Sequence, residues 1–315
     1  MTRRHSRLVL GTVAIGCMSI SACSAASRSA TPTTTTVITT TTSTTSTTST
    51  TTVATGQPSL PSPDHIVVVI EENHADTSII GSSEAPYINS LANSGALFTE
   101  SYGTHHPSLP NYLALFSGSN QGVTDDSCPP PGSPYATDNL GAQLIAAGKT
   151  FVGYSETLSA AGSAECSNGG GPGYQRKHNP WVDFSNVPAE SNQPFTSFPA
   201  DFDKLPTVSF VVPNQQHDMH DGTINEGDEW LAANIDSYAQ WAQTHNSLLI
   251  VTWDEDDFVD DNKIVTIFVG QQVKPGTYGE TINHYNLLRT IEDIFGLPSV
   301  ANSTTATPIT DCWRP

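Results

Sequence analysis

His65-Ile66-Val67-Val68-Val69-Ile70-Glu71-Glu72-Asn73-His74 carries the reading of the fold. Ile66 to Ile70 is an unbroken apolar, β-branched run, which predicts a central strand buried on both faces. The run stops at two carboxylates and an amide. Open α/β sheets place their sites at the carboxyl ends of such strands. Glu71, Glu72 and Asn73 offer the oxygen donors that a hard divalent cation takes.

The pattern recurs along the chain. Thr207 to Val212 predicts a second buried strand, followed by His217, Asp218, His220 and Asp221. Imidazoles and carboxylates within five positions suit a cation or a proton shuttle. Ser247 to Trp253 predicts a third, ending in Asp254-Glu255-Asp256-Asp257. Acids this close repel one another unless a cation joins them. Ala96 to Tyr102 predicts a fourth strand, and Lys263 to Val269 a further one.

Helical segments alternate with these strands. Pro86 to Gly95 and Asn139 to Gly148 read as short helices. Asp228 to His245 reads as one longer helix with Leu231, Ile235, Tyr238 and Ala242 on a stripe and Trp230 and Trp241 packing beside it. Asn283 caps a helix through Phe295, stopped by Gly296, with His284 in its first turn. Strand–site, helix, strand–site predicts an α/β fold with a mostly parallel sheet, one edge of which gathers the polar clusters. No GxGxxG or P-loop occurs, which argues against a nucleotide cofactor.

The fourth strand leads into His105-His106-Pro107-Ser108-Leu109-Pro110-Asn111-Tyr112-Leu113-Ala114-Leu115-Phe116-Ser117-Gly118. Pro107 and Pro110 stiffen a loop that delivers Ser108 to a helix start, and Gly118 ends the helix. Free N–H groups and the positive helix end would hold a phosphate at Ser108, with Asn111 as an added donor. Taken alone, the segment fits a proline-braced capping serine equally well. Arg176-Lys177-His178 is the densest basic cluster of the body. It reads either as a phosphate contact or as a solvated charge run.

The formal net charge of −19 excludes general electrostatic tracking of nucleic acid or of anionic lipid. An anionic substrate would need local cations. The first 22 residues, with Arg3, Arg4 and Arg7 before an apolar run, read as an export signal. Ile20-Ser21-Ala22-Cys23 resembles a bacterial lipobox, which implies cleavage before Cys23 and a lipid anchor on it; secretion without lipid is the alternative. Threonine fills 17 of the 25 positions from Thr31 to Thr55, too little apolar surface to fold, so 23–63 reads as a spacer. Residues 64–315 are then the catalytic domain of an exported monomer. Of the remaining cysteines, Cys128 and Cys166 are the expected disulfide, although a pairing through Cys312 stays open.

Taken together, IVVVIEENH, HPSLPNYLALFSG, RKHNPW, HDMHDG, TWDEDD and INHYNLLRTIEDIFGLP resemble, in order, the bacterial phosphoesterase family of acid phosphatases and phospholipases C. The likeness runs from about His65 to Trp313. It implies an alkaline-phosphatase-like three-layer α/β/α sandwich. It also implies hydrolysis of phosphate monoesters, phosphoinositides among them, with phospholipase C-type diester cleavage as the alternative. Ser-Leu-Pro-Asn is similar to the Thr-Phe-Pro-Asn nucleophile segment of nucleotide pyrophosphatases, which implies Ser108 as nucleophile and Asn111 as a phosphate-binding amide. By the same resemblance Glu72, Asn73, Asp254 and Glu255 would hold a divalent metal cation. His217, His220 and His284 would line the phosphate pocket. The two-zinc set of the wider superfamily is not clearly complete, so metal number stays open.

Overall fold

In the computed structural model, residues 60–169 and 171–315 are described. The expected export signal, Cys23 and the spacer up to residue 59 lie outside the described residues. No helix among the described residues is long and apolar enough to cross a membrane.

In chain order the elements are β1 (His65–Glu71), α1 (Asp76–Ile79), α2 (Pro86–Ser94), β2 (Ala96–Tyr102), α3 (Ser108–Ser117), α4 (Leu140–Ala146), β3 (Phe151–Ser155), β4 (Asn192–Pro194), β5 (Val208–Val212), α5 (Ile224–Asn234), α6 (Asp236–Ala242), β6 (Ser247–Trp253), β7 (Thr266–Gly270), β8 (Gly276–Asn283) and α7 (His284–Phe295). The eight strands form one sheet in the order β4-β3-β5-β1-β6-β7-β2-β8. Only β7 runs against its neighbours. β1 lies between β5 and β6, pairing Val68 with Phe210 on one side and Ile250 on the other.

The β-branched residues of β1 divide between two cores, because successive side chains point to opposite faces. Ile66, Val68 and Ile70 join Leu113, Phe116, Leu288 and Ile291 from α3 and α7. Val67 and Val69 join Ile88, Leu231 and Tyr238 from α2, α5 and α6, and Ile235 between the last two. Helices thus cover both faces, giving the three-layer α/β/α sandwich expected from the sequence.

Local signals fixed several boundaries. Gly118 and Gly296 close α3 and α7 at φ of 67° and 64°, a left-handed conformation that glycine adopts without a Cβ clash. Cys128 and Cys166 form a disulfide, and Cys312 is free and buried. One expectation needs correction. The helix from Asp228 to His245 is two helices, α5 and α6, divided at Ile235, where φ is −114°. The first begins earlier, at a capping box between Thr223 and Glu226. The apolar stripe hides the break because Leu231, Ile235, Tyr238 and Ala242 are all still buried. The polar strand β8 carries no apolar alternation, so the sequence pattern did not reveal it.

Candidate active site

Because β5, β1, β6 and β2 are parallel, their carboxyl ends open at one edge of the sheet. There the chain turns into the four segments that carry the polar clusters. Ser108 is the first residue of α3, with Pro107 in extended backbone ahead of it. Its hydroxyl donates to Glu72 Oε2 at 2.9 Å and lies 3.2 Å from Glu255 Oε1. Lys177 Nζ donates to Ser108 Oγ at 3.4 Å and to Asp126 Oδ2 at 3.0 Å. Glu72 Oε1 accepts from Tyr112 at 2.8 Å and lies 2.9 Å from His178 Nε2. Asp254 Oδ1 accepts from the Asn73 and Glu255 backbone N–H groups at 3.3 and 2.7 Å.

The electrostatics of this cluster are unbalanced. Burial opposes charge on Glu72, but the neighbouring His178 and Lys177 outweigh it and hold the carboxyl below its usual range. Burial, followed by the Glu72 and Glu255 charges, pushes Asp254 well up. Burial and then Glu72 raise Glu255. Burial also works against charge on His178, yet Glu72 and Asp218 together raise its pKa. The cationic groups touching this cluster are Lys177 and His178, against Glu72, Asp126, Asp218, Asp254 and Glu255. Crowded carboxylates of this kind favour an added cation.

A hard divalent cation suits these donors. Asp254 Oδ2 is buried and accepts no hydrogen bond, whereas Asp218 Oδ2 faces the His178 ring at 3.4 Å. A carboxylate oxygen left bare in the interior is costly unless something meets it. Among the described residues, however, no three His, Cys, Asp or Glu side chains converge as a metal's ligands would. Glu72 is turned to Ser108, Tyr112 and His178, and Glu255 to His106. The donor chemistry fits the cation, and gathering the ligands requires these side chains to turn.

The structure therefore brings together Ser108, Glu72, Asp254, Glu255, Lys177 and His178. Other expected site residues are occupied elsewhere. The Asn111 amide is buried and holds its own loop, accepting from Thr104 and His105 backbone N–H groups at 2.9 and 2.8 Å and donating to the His105 carbonyl at 2.8 Å. Arg176 faces Asp183 at 2.6 Å and the Ala164 carbonyl at 2.9 Å. The His217 ring meets Glu156 at 2.9 Å. His284 is buried against the Trp253 carbonyl at 3.1 Å, and burial lowers its pKa to about 4. His220 is partly exposed beside Asp221, with its ring 6.4 Å from that of His178. Asn73 reaches the cluster through its backbone.

Sequence reasoning missed three contributors. Asp126 accepts from Leu109 N at 3.0 Å as well as from Lys177, tying the start of α3 to the basic segment. Tyr112 looked like a core residue, but its hydroxyl reaches Glu72 and its ring stacks on His178 at 4.9 Å. His106 bonds Glu255 and also lies 3.3 Å from Asp256. Only Tyr112 had a local signal, one helical turn from Ser108 on the same face. A cavity of about 500 Å³ lined by Ser117, Gln121, Thr137 and Val300 opens at the far end of α3 and touches none of these groups.

A mostly parallel α/β/α sandwich with its polar cluster at the strand ends is the architecture that alkaline-phosphatase-like proteins share with other open α/β folds. Solved structures agree on the fold. One is a Vibrio parahaemolyticus protein of the alkaline phosphatase superfamily, with TM-score 0.56, 13% identity, 80% of this chain and 72% of that chain covered. Another is a Silicibacter pomeroyi phosphonate monoester hydrolase, at TM-score 0.53, 11% identity, and 78% and 76% coverage. The chain belongs to the phosphoesterase family, whose model matches residues 81–298. It is 52% identical to the phosphatidylinositol-3-phosphatase of Mycobacterium tuberculosis over 257 residues, covering 81% of this chain and 84% of the relative. It is 31% identical to an acid phosphatase of Aspergillus fumigatus, covering 67% of this chain and 50%, about half, of that longer protein. Both relatives are phosphoric monoester hydrolases by name.

Proposed function

We propose that this chain hydrolyses phosphate monoesters, with phosphoinositides bearing a ring phosphate as the substrate class, through Ser108. The observation that carries this reading is the Ser108 hydroxyl, in contact with two carboxylates and one ammonium at the carboxyl edge of the sheet. The names of the relatives support the same substrate class.

Ser108 attacks phosphorus, and its proton passes to the carboxylate it already faces. The Lys177 ammonium neutralises a non-bridging oxygen, where charge must be held in phosphoryl transfer. The leaving alcohol takes a proton, with His220, whose ring lies 6.4 Å from that of His178, as the candidate donor. Water then releases phosphate from the serine ester. Ser108 is only 1% exposed, so the side chains touching its hydroxyl must part to admit phosphate. Glu72, Asn73, Asp254 and Glu255 would hold a divalent cation, which when bound supplies Lewis-acid polarisation of a phosphate oxygen. The N-terminal sequence supports an exported protein, tethered through Cys23.

The test uses p-nitrophenyl phosphate and p-nitrophenyl phosphorylcholine with the parent chain and Ser108→Ala. The monoester is expected to turn over, and Ser108→Ala to abolish that turnover while the chain stays folded. Preferential cleavage of the diester would replace this reading with a phospholipase C. Unchanged turnover in Ser108→Ala would remove the nucleophile.

A further inference from the structure

Among the described residues, three large apolar side chains are exposed, and two of them are adjacent: Phe258 at 75% and Val259 at 67%. They form the tip of the loop that follows the Asp254–Glu255 acids. Phe258 has φ of +64°, a conformation that is costly for a bulky side chain and persists only where its surroundings impose it. Here the surroundings do so. The buried Asp256 carboxylate accepts from the Phe258, Asp260 and Asn262 N–H groups at 2.8, 2.8 and 3.1 Å. Asn262 in turn donates to the His105 carbonyl at 2.9 Å, fastening the loop to the segment before Ser108. The Phe258 ring stacks on His106 at 4.0 Å, and His106 bonds Glu255. An apolar pair is thus held out to solvent beside the rim that contains the reacting hydroxyl.

We infer that Phe258 and Val259 are an interfacial tip that inserts into a lipid bilayer and presents Ser108 to phosphate esters at its surface. This rests on the phosphoinositide reading and names the physical phase in which the substrate is met. A chain of net charge −19 is repelled by anionic membranes and cannot dock through a general basic patch. Asp257, Asp260 and Asp261 flank the tip and add to that repulsion. Apolar insertion into a mainly zwitterionic surface needs no positive patch, since its strength follows the apolar area buried at the headgroup boundary. The imposed backbone keeps the pair extended before contact, so little ordering is lost on docking.

The experiment compares the full chain carrying Cys23→Ser, which removes any acyl anchor at that position, with the same chain bearing Phe258→Ser and Val259→Ser, and with Val259→Trp. Each is assayed on phosphatidylcholine vesicles containing phosphatidylinositol 3-phosphate, on the water-soluble dibutanoyl analogue, and by co-sedimentation with phosphatidylcholine vesicles alone. The double variant is expected to lose about tenfold or more of vesicle turnover and of co-sedimentation, against a loss within about threefold on the soluble analogue. Val259→Trp should raise co-sedimentation and leave the soluble rate within about twofold. Equal losses on vesicle and soluble substrate, or no loss on either, would overturn the proposal. So would a self-associating chain whose dimer dissolves in the double variant without any change on vesicles. If the parent hydrolyses neither substrate, the phosphatase reading fails, while co-sedimentation still decides the tip.

Discussion

Two sets of buried acids in this protein meet opposite fates. Asp228 accepts the Tyr87 and Ile88 N–H groups at 3.0 and 2.8 Å at the start of α2. Asp256 accepts three backbone N–H groups of one loop. Glu292 accepts from Val300 N at 3.1 Å and Ser303 Oγ at 2.6 Å. Each of these acids is satisfied by the chain itself and fixes a piece of structure. Glu72, Asp254 and Glu255 also accept from neighbours, but they lie within reach of one another's charge, and Asp254 Oδ2 meets no donor. The boundary between the two sets falls between adjacent residues, Glu255 and Asp256. An interior acid answered by hydrogen-bond donors alone stabilises the fold, whereas acids that also face one another's charge favour an added cation.

The contrast can be broken by exchanging roles. Asp254→Asn is expected to lower p-nitrophenyl phosphate turnover on the order of a thousandfold, an effect typical of losing a charge-stabilising group in a catalytic site. The same change should leave the melting temperature equal or higher, because an amide keeps the acceptor oxygen and has no ionised form for burial and the neighbouring carboxylates to penalise. A melt lowered by several degrees would place Asp254 among the structural acids. Asp228→Ala should do the reverse. One buried and one part-buried N–H group lose their acceptor, at a cost of about 2–3 kcal/mol in urea unfolding, while kcat of the folded fraction stays within about twofold. Lys177→Ala is expected to lower kcat/KM roughly tenfold to thirtyfold, since a cation touching Ser108 is lost while the carboxylates remain.

The smallest expected effect is on pH dependence. Burial raises Glu292 to about 7, against the opposing pull of its Ser303 and Val300 bonds. A carboxyl raised on folding favours the folded state fully below its unfolded pKa, and that contribution is lost as pH rises through the folded value. The melting temperature should therefore fall modestly between about pH 4.5 and pH 7, and Glu292→Gln should flatten that slope. An unchanged slope in Glu292→Gln would assign the dependence to other groups.

The sequence revealed those parts of the molecule whose signal is local. Ile66 to Ile70 marked the central strand, Gly118 and Gly296 marked helix ends, and the acids after β1 and β6 marked the edge where the polar cluster gathers. Signals that depend on tertiary partners were invisible. Nothing near Asp126 announces that it meets Lys177, 51 residues away. Arg176, Lys177 and His178 looked like one cluster but point to different partners, because a short helical turn sends successive side chains in different directions. Asn111 sits where a phosphate donor was expected, yet its amide is engaged by the loop before it. The four acids after Trp253 could not be sorted into structural and exposed ones without knowing which backbone N–H groups fold back over Asp256.

In the proposed reaction the Ser108 hydroxyl is the group that displaces phosphorus. Acid quenching during turnover of a phosphate monoester, followed by peptide mapping, tests it most directly, because a phosphoserine survives acid. A phosphate is expected on the peptide containing Ser108, absent without substrate and absent in Ser108→Ala. Steady turnover with no phosphate at Ser108, together with a Ser108→Ala chain that matches the parent rate, would contradict it.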